Sequence, residues 1–137
     1  MKQPKFRSYS LETNSWHYGH GWFEVTYIKE YKKEKGISDK AILHTNGLSI
    51  KCELSSMGQF TGETVRGKEI YDGDIIKVNK LTFESSVPLP ENLNVQYYGG
   101  MFQLFRDKEP LAGLHLLYLE DGEIIGTMFE SQKGITA

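Results

Sequence analysis

Glycine-bearing turn dipeptides recur along this chain and leave room between them for little but short strands. Asn46-Gly47, Asp72-Gly73, Gly99-Gly100 and Asp121-Gly122 each lie between segments rich in β-branched and aromatic residues. Glycine reaches positive φ without a Cβ penalty, and Asn and Asp tolerate it better than most residues, so each dipeptide suits a tight reversal. No segment carries an apolar stripe at helical spacing for more than about two or three turns. The pattern predicts a mostly β protein of short strands and hairpins, arranged as a sandwich or barrel.

Individual segments sharpen that reading. Phe6 and Tyr9, the polar run Glu12 to Ser15, then Trp16 and Tyr18 predict an opening hairpin. Trp22 to Ile28 reads as a further strand. Glu30 to Lys40 has mixed charge and is broken by Gly36, so an exposed loop or a single helical turn is expected. Asn46-Gly47 predicts a type I′ turn joining two short strands, because both central residues then need positive φ. A strand is expected to continue to about Phe83. Gly99-Gly100 marks another hairpin tip, Asp107 to Gly113 reads as a turn, and Asp121-Gly122 leads into a last strand ending near Phe129. The expected organisation is a hairpin-rich N-terminal lobe over residues 1–55 and a small barrel over 56–137, within one compact unit.

Composition limits the function classes. At 137 residues, with 39% apolar and 25% charged, the chain is long enough for a core without disulfide or metal staples. Cys52 is alone, so no internal disulfide or cysteine-rich metal site is expected. The opening MKQPKFRSYS has no signal-peptide apolar core, and the run Leu116–Leu119 is too short to cross a bilayer. A cytoplasmic protein without a membrane partner is expected. Residues 1–83 carry net charge +3 and residues 84–137 net −5, which argues against a broad duplex-binding face while allowing a local basic patch.

The stretch GKEIYDGDIIKV, residues 67–78, poses the sharpest chemical question. Asp72 and Asp74 flank Gly73 and invite a carboxylate-pair reading, as cation ligands or as acid and base. A helix-loop-helix calcium site needs more oxygen ligands at fixed spacings, and they are missing. Gly73 at positive φ, with aspartates accepting nearby main-chain N–H groups, explains the same residues as a corner that starts a strand. In that strand Ile76 and Val78 share one face and Ile75 and Lys77 the other. The corner reading is preferred.

The surrounding segment MGQFTGETVRGKEIYDGDIIKV resembles the signature of the YopX family of phage and prophage proteins. The pattern falls on Phe60, Thr61 and Gly62, then on Gly67, Lys68, Glu69, Ile70, Tyr71, Gly73 and Asp74 and onward to Lys77. The opening KFRSYSLETNSWHY and the closing GEIIGTMFES resemble the family's two ends, with Thr127 and Phe129 standing where the family has Asn and Tyr. The resemblance implies a mostly β chain whose C-terminal part is a small Src-homology-3-like barrel, and a phage or prophage origin. It implies no particular activity.

Other constellations have bland readings. His17 and His20 lie three apart among aromatics, and His44 and His115 lie far off in sequence, short of the ligand set a metal site requires. Trp16, Tyr18 and Trp22 alternate, as if sharing a face. With Lys32, Lys33 and Lys35 they form the candidate interaction surface, together with the 84–98 segment. Cys52 alternates with Ile50 and Leu54 and is expected to be buried and inert. No nucleophile elbow, phosphate loop or dinucleotide fingerprint occurs. The expectation is therefore a protein without catalytic residues, metal or cofactor. It would act by contact with a partner protein or with copies of itself. Association with nucleic acid, through those lysines and aromatics, is the alternative.

Overall fold

The computed structural model describes residues 4–78, 91–114 and 122–133. The chain is mostly β and divides into two compact units, residues 1–60 and 61–137.

In the first unit, β1 (Phe6–Ser10) and β2 (Ser15–Gly19) form the opening hairpin, with Tyr9 opposite Trp16. β3 (Gly21–Val25), β4 (Lys40–Thr45) and β5 (Leu48–Glu53) form a three-stranded antiparallel sheet, and the β1–β2 hairpin packs on it. Ala41, Leu43, Cys52 and Tyr9 are buried there, each removing apolar surface from water. Gly19 is needed at this packing: a Cβ on it would lie 2.2 Å from the carbonyl oxygen of His44. Asn46 and Gly47 have φ of 45° and 79°, so the type I′ turn is present. A short 3-10 turn, Leu54–Ser56, follows β5 and contains the 55/56 position.

Two expectations change in this unit. β3 stops at Val25 rather than running to Ile28. Residues Lys29–Lys35 form a helix, α1, of nearly two turns, longer than the loop or single helical turn expected. Gly36 closes it in the left-handed conformation, with φ 64°, and Lys32, Lys33 and Lys35 lie in the last turn, where the helix dipole favours positive charge.

β6 (Gly58–Val65) runs across the division between the units. Its start pairs with β1, with Phe6 opposite Gln59, and it neighbours β7 (Lys68–Tyr71). Arg66 and Gly67, both at positive φ, make the β6–β7 reversal. The rest of the second unit is a five-stranded antiparallel sheet in the order β11 (Glu109–Gly113), β10 (Met101–Arg106), β9 (Glu91–Tyr98), β8 (Asp74–Val78), β12 (Gly122–Thr127). A short helix, α2 (Met128–Lys133), ends the described chain. The core gathers Val65, Ile70, Ile76, Val78, Leu93, Val95, Leu104 and Leu114. A fully buried Leu, Ile or Val contributes about 1.5–3 kcal/mol, so this cluster dominates the unit's stability. β8 shows the expected alternation, with Ile76 and Val78 buried and Ile75 and Lys77 on the other face.

Among the described residues the strand order runs open from β11 to β12, and no described pair joins those two edges as a closed Src-homology-3-like barrel would require. The region read as a turn, Asp107 to Gly113, is a two-residue reversal at Asp107-Lys108 followed by strand β11. Pro110 fits there because β11 is an edge strand beside a register shift at Leu104/Phe105. The last strand ends at Thr127, and Phe129 is a buried residue of α2. The expected continuation to Phe83, His115 and the turn residue Asp121 lie outside the described residues.

Candidate functional site

The motif corner is assembled from three parts of the second unit. Asp74 opens β8 and is fully buried; its Oδ2 accepts the main-chain N–H of Tyr71 at 2.7 Å. Gly73, at φ 94°, donates its N–H to the carbonyl of Val95 and accepts the N–H of Met128, both at 2.8 Å. The peptide groups around Gly73 thus tie the corner to β9 on one side and to the start of α2 on the other. Thr127 lies opposite Asp74 in the β8–β12 register, and its Oγ1 accepts the N–H of Glu130 at 3.0 Å, capping α2.

The upstream part of the motif locks the same strands. The Thr61 hydroxyl donates to the Ile70 carbonyl at 2.8 Å and accepts the Glu63 N–H at 3.1 Å. Gly62 and Gly67 hold positive φ. Ile70 and Tyr71 are buried, the Tyr71 hydroxyl donates to Glu69 at 3.2 Å, and Lys68 is exposed. In the first unit Phe60 donates its N–H to the Lys5 carbonyl at 2.8 Å, and the Lys5 ammonium stands 6.0 Å from its ring. Each of these contacts fixes backbone. Asp72 and Asp74 do not converge on a common open space: Asp74 is sealed and Asp72 half-buried.

A cleft of about 330 Å³ lies beside the corner. Its walls come from Ile75 of the central motif, from Ile125 and Met128 of the closing segment, and from Asn92, Asn94 and Asp107 on neighbouring strands and their turn. Ile125 is there because of a bulge. The β12 register jumps between Ile124 and Gly126, so Ile125 has no partner on β8 and is 44% exposed. Sequence reasoning missed this cleft, since nothing in an alternating strand pattern marks which residue a bulge expels.

The candidate interaction surface draws on separate sheets and a helix, and residues 84–90 of its 84–98 segment lie outside the described residues. Trp16 is half-buried on β2, edge-on to Tyr9 at 5.4 Å with the Arg7 guanidinium 4.7 Å from its ring. Trp22 belongs to a different sheet and packs edge-on to Phe6 at 6.4 Å, so the two tryptophans and Tyr18 do not share one strand face as expected. Tyr18 is exposed. On α1, Lys32 pairs with Asp39 at 3.2 Å, while Lys33 and Lys35 are exposed. The Tyr27 N–H, bound to Asp39 at 3.0 Å, is the main reason the Asp39 carboxyl titrates below its usual range, with Lys32 adding to it.

The three described histidines do not gather. His17 bonds Thr13 and Ser15, His20 the Pro4 carbonyl, and His44 Ser49. Among the described residues no group of three His, Cys, Asp or Glu side chains is placed to hold a metal ion. Burial pushes the Cys52 thiol up from its ordinary pKa, so it is a poor nucleophile at neutral pH.

The 84–98 segment of the candidate surface ends in a second exposed patch. At the β9–β10 tip, Tyr97, Tyr98 and Met101 are 58%, 60% and 39% exposed around Gly99-Gly100. Tyr97 stands edge-on to Phe102 at 5.0 Å and Tyr98 to Phe105 at 5.9 Å. Beside them runs a groove of about 260 Å³ lined by Thr61, Glu63, Tyr97, Met101, Phe102 and Leu114. The sequence held the signal, since two adjacent tyrosines beside a hairpin tip cannot both point into one core face.

These features define an antiparallel β protein in two units, whose most distinctive sequence motif serves as an internal corner. The chain belongs to the YopX family: the family model described as YopX protein matches residues 5–134. No curated protein matches it. Among solved structures it is similar to the crystal structure of protein EF1440 from Enterococcus faecalis, with 16% identity, a TM-score of 0.49, and coverage of 98% of this chain and 99% of that one. Among the described residues no helix is long and apolar enough to cross a membrane.

Proposed function

We propose that this chain is a phage- or prophage-encoded accessory protein that works without catalysis, as a binding or assembly module for a partner protein or for further copies of itself in the host cytoplasm. Membership of the YopX family supports the phage context. The observation that carries the binding role is the exposed Tyr97-Tyr98 pair with Met101 above the apolar groove. Aromatic residues and methionine are enriched at protein interfaces, and a few such anchors supply most of the binding energy. Edge contacts to Phe102 and Phe105 hold both tyrosine rings before any partner arrives, which lowers the ordering cost of binding.

The test is affinity capture from cells carrying the induced phage, with and without nuclease, using the natural chain and Tyr97→Ser/Tyr98→Ser. The same partner, itself or another protein, is expected to survive nuclease and to be lost with the double variant, which stays folded in circular dichroism and unfolding measurements. Retention by the variant would sink the hairpin as the binding surface. Loss of the partner on nuclease treatment would instead favour nucleic-acid association, with the exposed Lys33 and Lys35 the first residues to neutralise.

A further inference from the structure

We propose that the cleft beside the motif corner is a recognition site for the guanidinium group of an arginine side chain on a partner protein. The inference stands on residues separate from the exposed hairpin. Ile75 comes from the central family segment and Ile125 and Met128 from the closing one, so two of the three segments that carry the resemblance form walls of one cavity. Its volume, about 330 Å³, is at the low end for ligand sites and suits a single side chain rather than a large cofactor.

The chemistry of the walls selects the ligand. Among the described residues that line the cleft, Asp107 is the charged one. Among the described residues no cation lies within ion-pair distance of its carboxylate. Its neighbour Arg106 is engaged by Glu91 through two bonds, at 2.8 and 3.0 Å. The Asn94 side chain is already used: its oxygen accepts from Gln96 at 2.6 Å, and its amide donates to the Asp107 carbonyl at 3.3 Å, holding the turn in place. Asn92 is exposed, and its side chain makes no hydrogen bond among the described residues, which leaves an acceptor beside the carboxylate.

The opposite wall carries an apolar patch, because the bulge turns Ile125 outward beside Met128, with Ser131 and Gln132 of α2 completing the lining. A guanidinium is planar and weakly hydrated, so it lies against such a wall while donating in its own plane; an ammonium does neither. The second unit as a whole carries 7 Lys/Arg against 12 Asp/Glu, net −5, and draws cations toward it.

The experiment records amide shifts of the whole chain on titration with N-acetyl-arginine amide and with N-acetyl-citrulline amide, which has the same shape but no charge. Saturable shifts at Asn92, Asp107 and Ile125 are expected with the arginine probe, at about millimolar affinity because the site is open to water. The citrulline probe is expected to bind at least about tenfold more weakly, a difference of ~1.4 kcal/mol. Asp107→Asn should erase that difference without unfolding the turn, since Asp107 sits at φ 55° and Asn tolerates that region equally well. Absence of saturable shifts, or equal shifts from citrulline, overturns the proposal. Equal binding of N-acetyl-lysine amide overturns the guanidinium assignment, and shifts from adenosine alone would make the cleft a nucleobase site.

Discussion

The Asp74 carboxylate accepts the main-chain N–H of Tyr71 at 2.7 Å, and both residues are sealed from water. The pair closes the corner at its base, where β7 ends and β8 begins. A hydrogen bond to a charged group contributes about 1.5–3 kcal/mol, and an orphaned buried donor costs about 1–3 kcal/mol. Asp74→Ala is therefore expected to lower stability by about 2–3 kcal/mol in urea unfolding. Asp74→Asn keeps an acceptor for Tyr71 and is expected to cost clearly less. If Asn costs as much as Ala, the buried charge itself is required, and the account of Asp74 as a turn acceptor is incomplete.

Gly73 and Gly19 are both required, for opposite reasons, and substitution separates them. Gly73 holds φ 94° in open space, so a side chain there meets nothing and the cost is conformational. Gly73→Ala and Gly73→Ser are expected to cost about the same, ~1–2 kcal/mol. Gly19 has no such backbone demand but no room either, with the His44 carbonyl 2.2 Å from a built Cβ. Gly19→Ala should cost about 1–3 kcal/mol as overpacking, and Gly19→Val visibly more. Size dependence at Gly73, or its absence at Gly19, in denaturant unfolding would contradict these assignments.

The legible part of this fold was local. Asn46-Gly47 and Gly99-Gly100 announce their hairpins because few residue types adopt positive φ, and all four do so here. The helices were harder. α1 buries no residue, so it has no apolar stripe to read; only Gly36 and the lysines before it mark its end. α2 did leave a trace, because Thr127 followed three residues later by Glu130 is a helix-start pattern, and the Thr127 hydroxyl accepts the Glu130 N–H. What no local rule supplies is the meeting of Gly73 with Val95 and Met128, or the bulge at Ile125, since both depend on strand register. The motif was therefore readable as a corner, and the cleft beside it was not.

Asp39 makes α1 sensitive to acid. Its carboxylate accepts the Tyr27 N–H and pairs with Lys32, and both hold its pKa below the ordinary 3.8. A lowered folded-state pKa gives stabilisation that is fully present above the ordinary value and is lost as pH falls through the folded one. The attachment of α1 is thus expected to be unchanged from neutral pH to about pH 5 and to loosen below about pH 4. Hydrogen exchange at the Tyr27 amide checks this. Asp39→Asn keeps an acceptor for the Tyr27 N–H but loses the charge that pairs with Lys32, so exchange should be somewhat faster at neutral pH and the acid step should disappear. An acid step that persists in that variant would assign it to another carboxylate.

Trp16 and the Tyr97-Tyr98 pair should respond oppositely to removal, which distinguishes packing from recognition. Trp16 lies between the Tyr9 ring and the Arg7 guanidinium inside the first unit, so its loss strips an aromatic edge contact and a cation–π contact together. Such contacts contribute about 0.5–2 kcal/mol each. Trp16→Leu is expected to lower the unfolding free energy by ~2 kcal/mol and to leave partner capture intact wherever the variant is folded. Tyr97→Ser/Tyr98→Ser removes rings that are more than half exposed, so beyond about 1–2 kcal/mol for their edge contacts the fold should hold while capture fails. Should Trp16→Leu abolish capture without a change in stability, the binding surface belongs to the 16–23 segment, and the exposed hairpin is incidental.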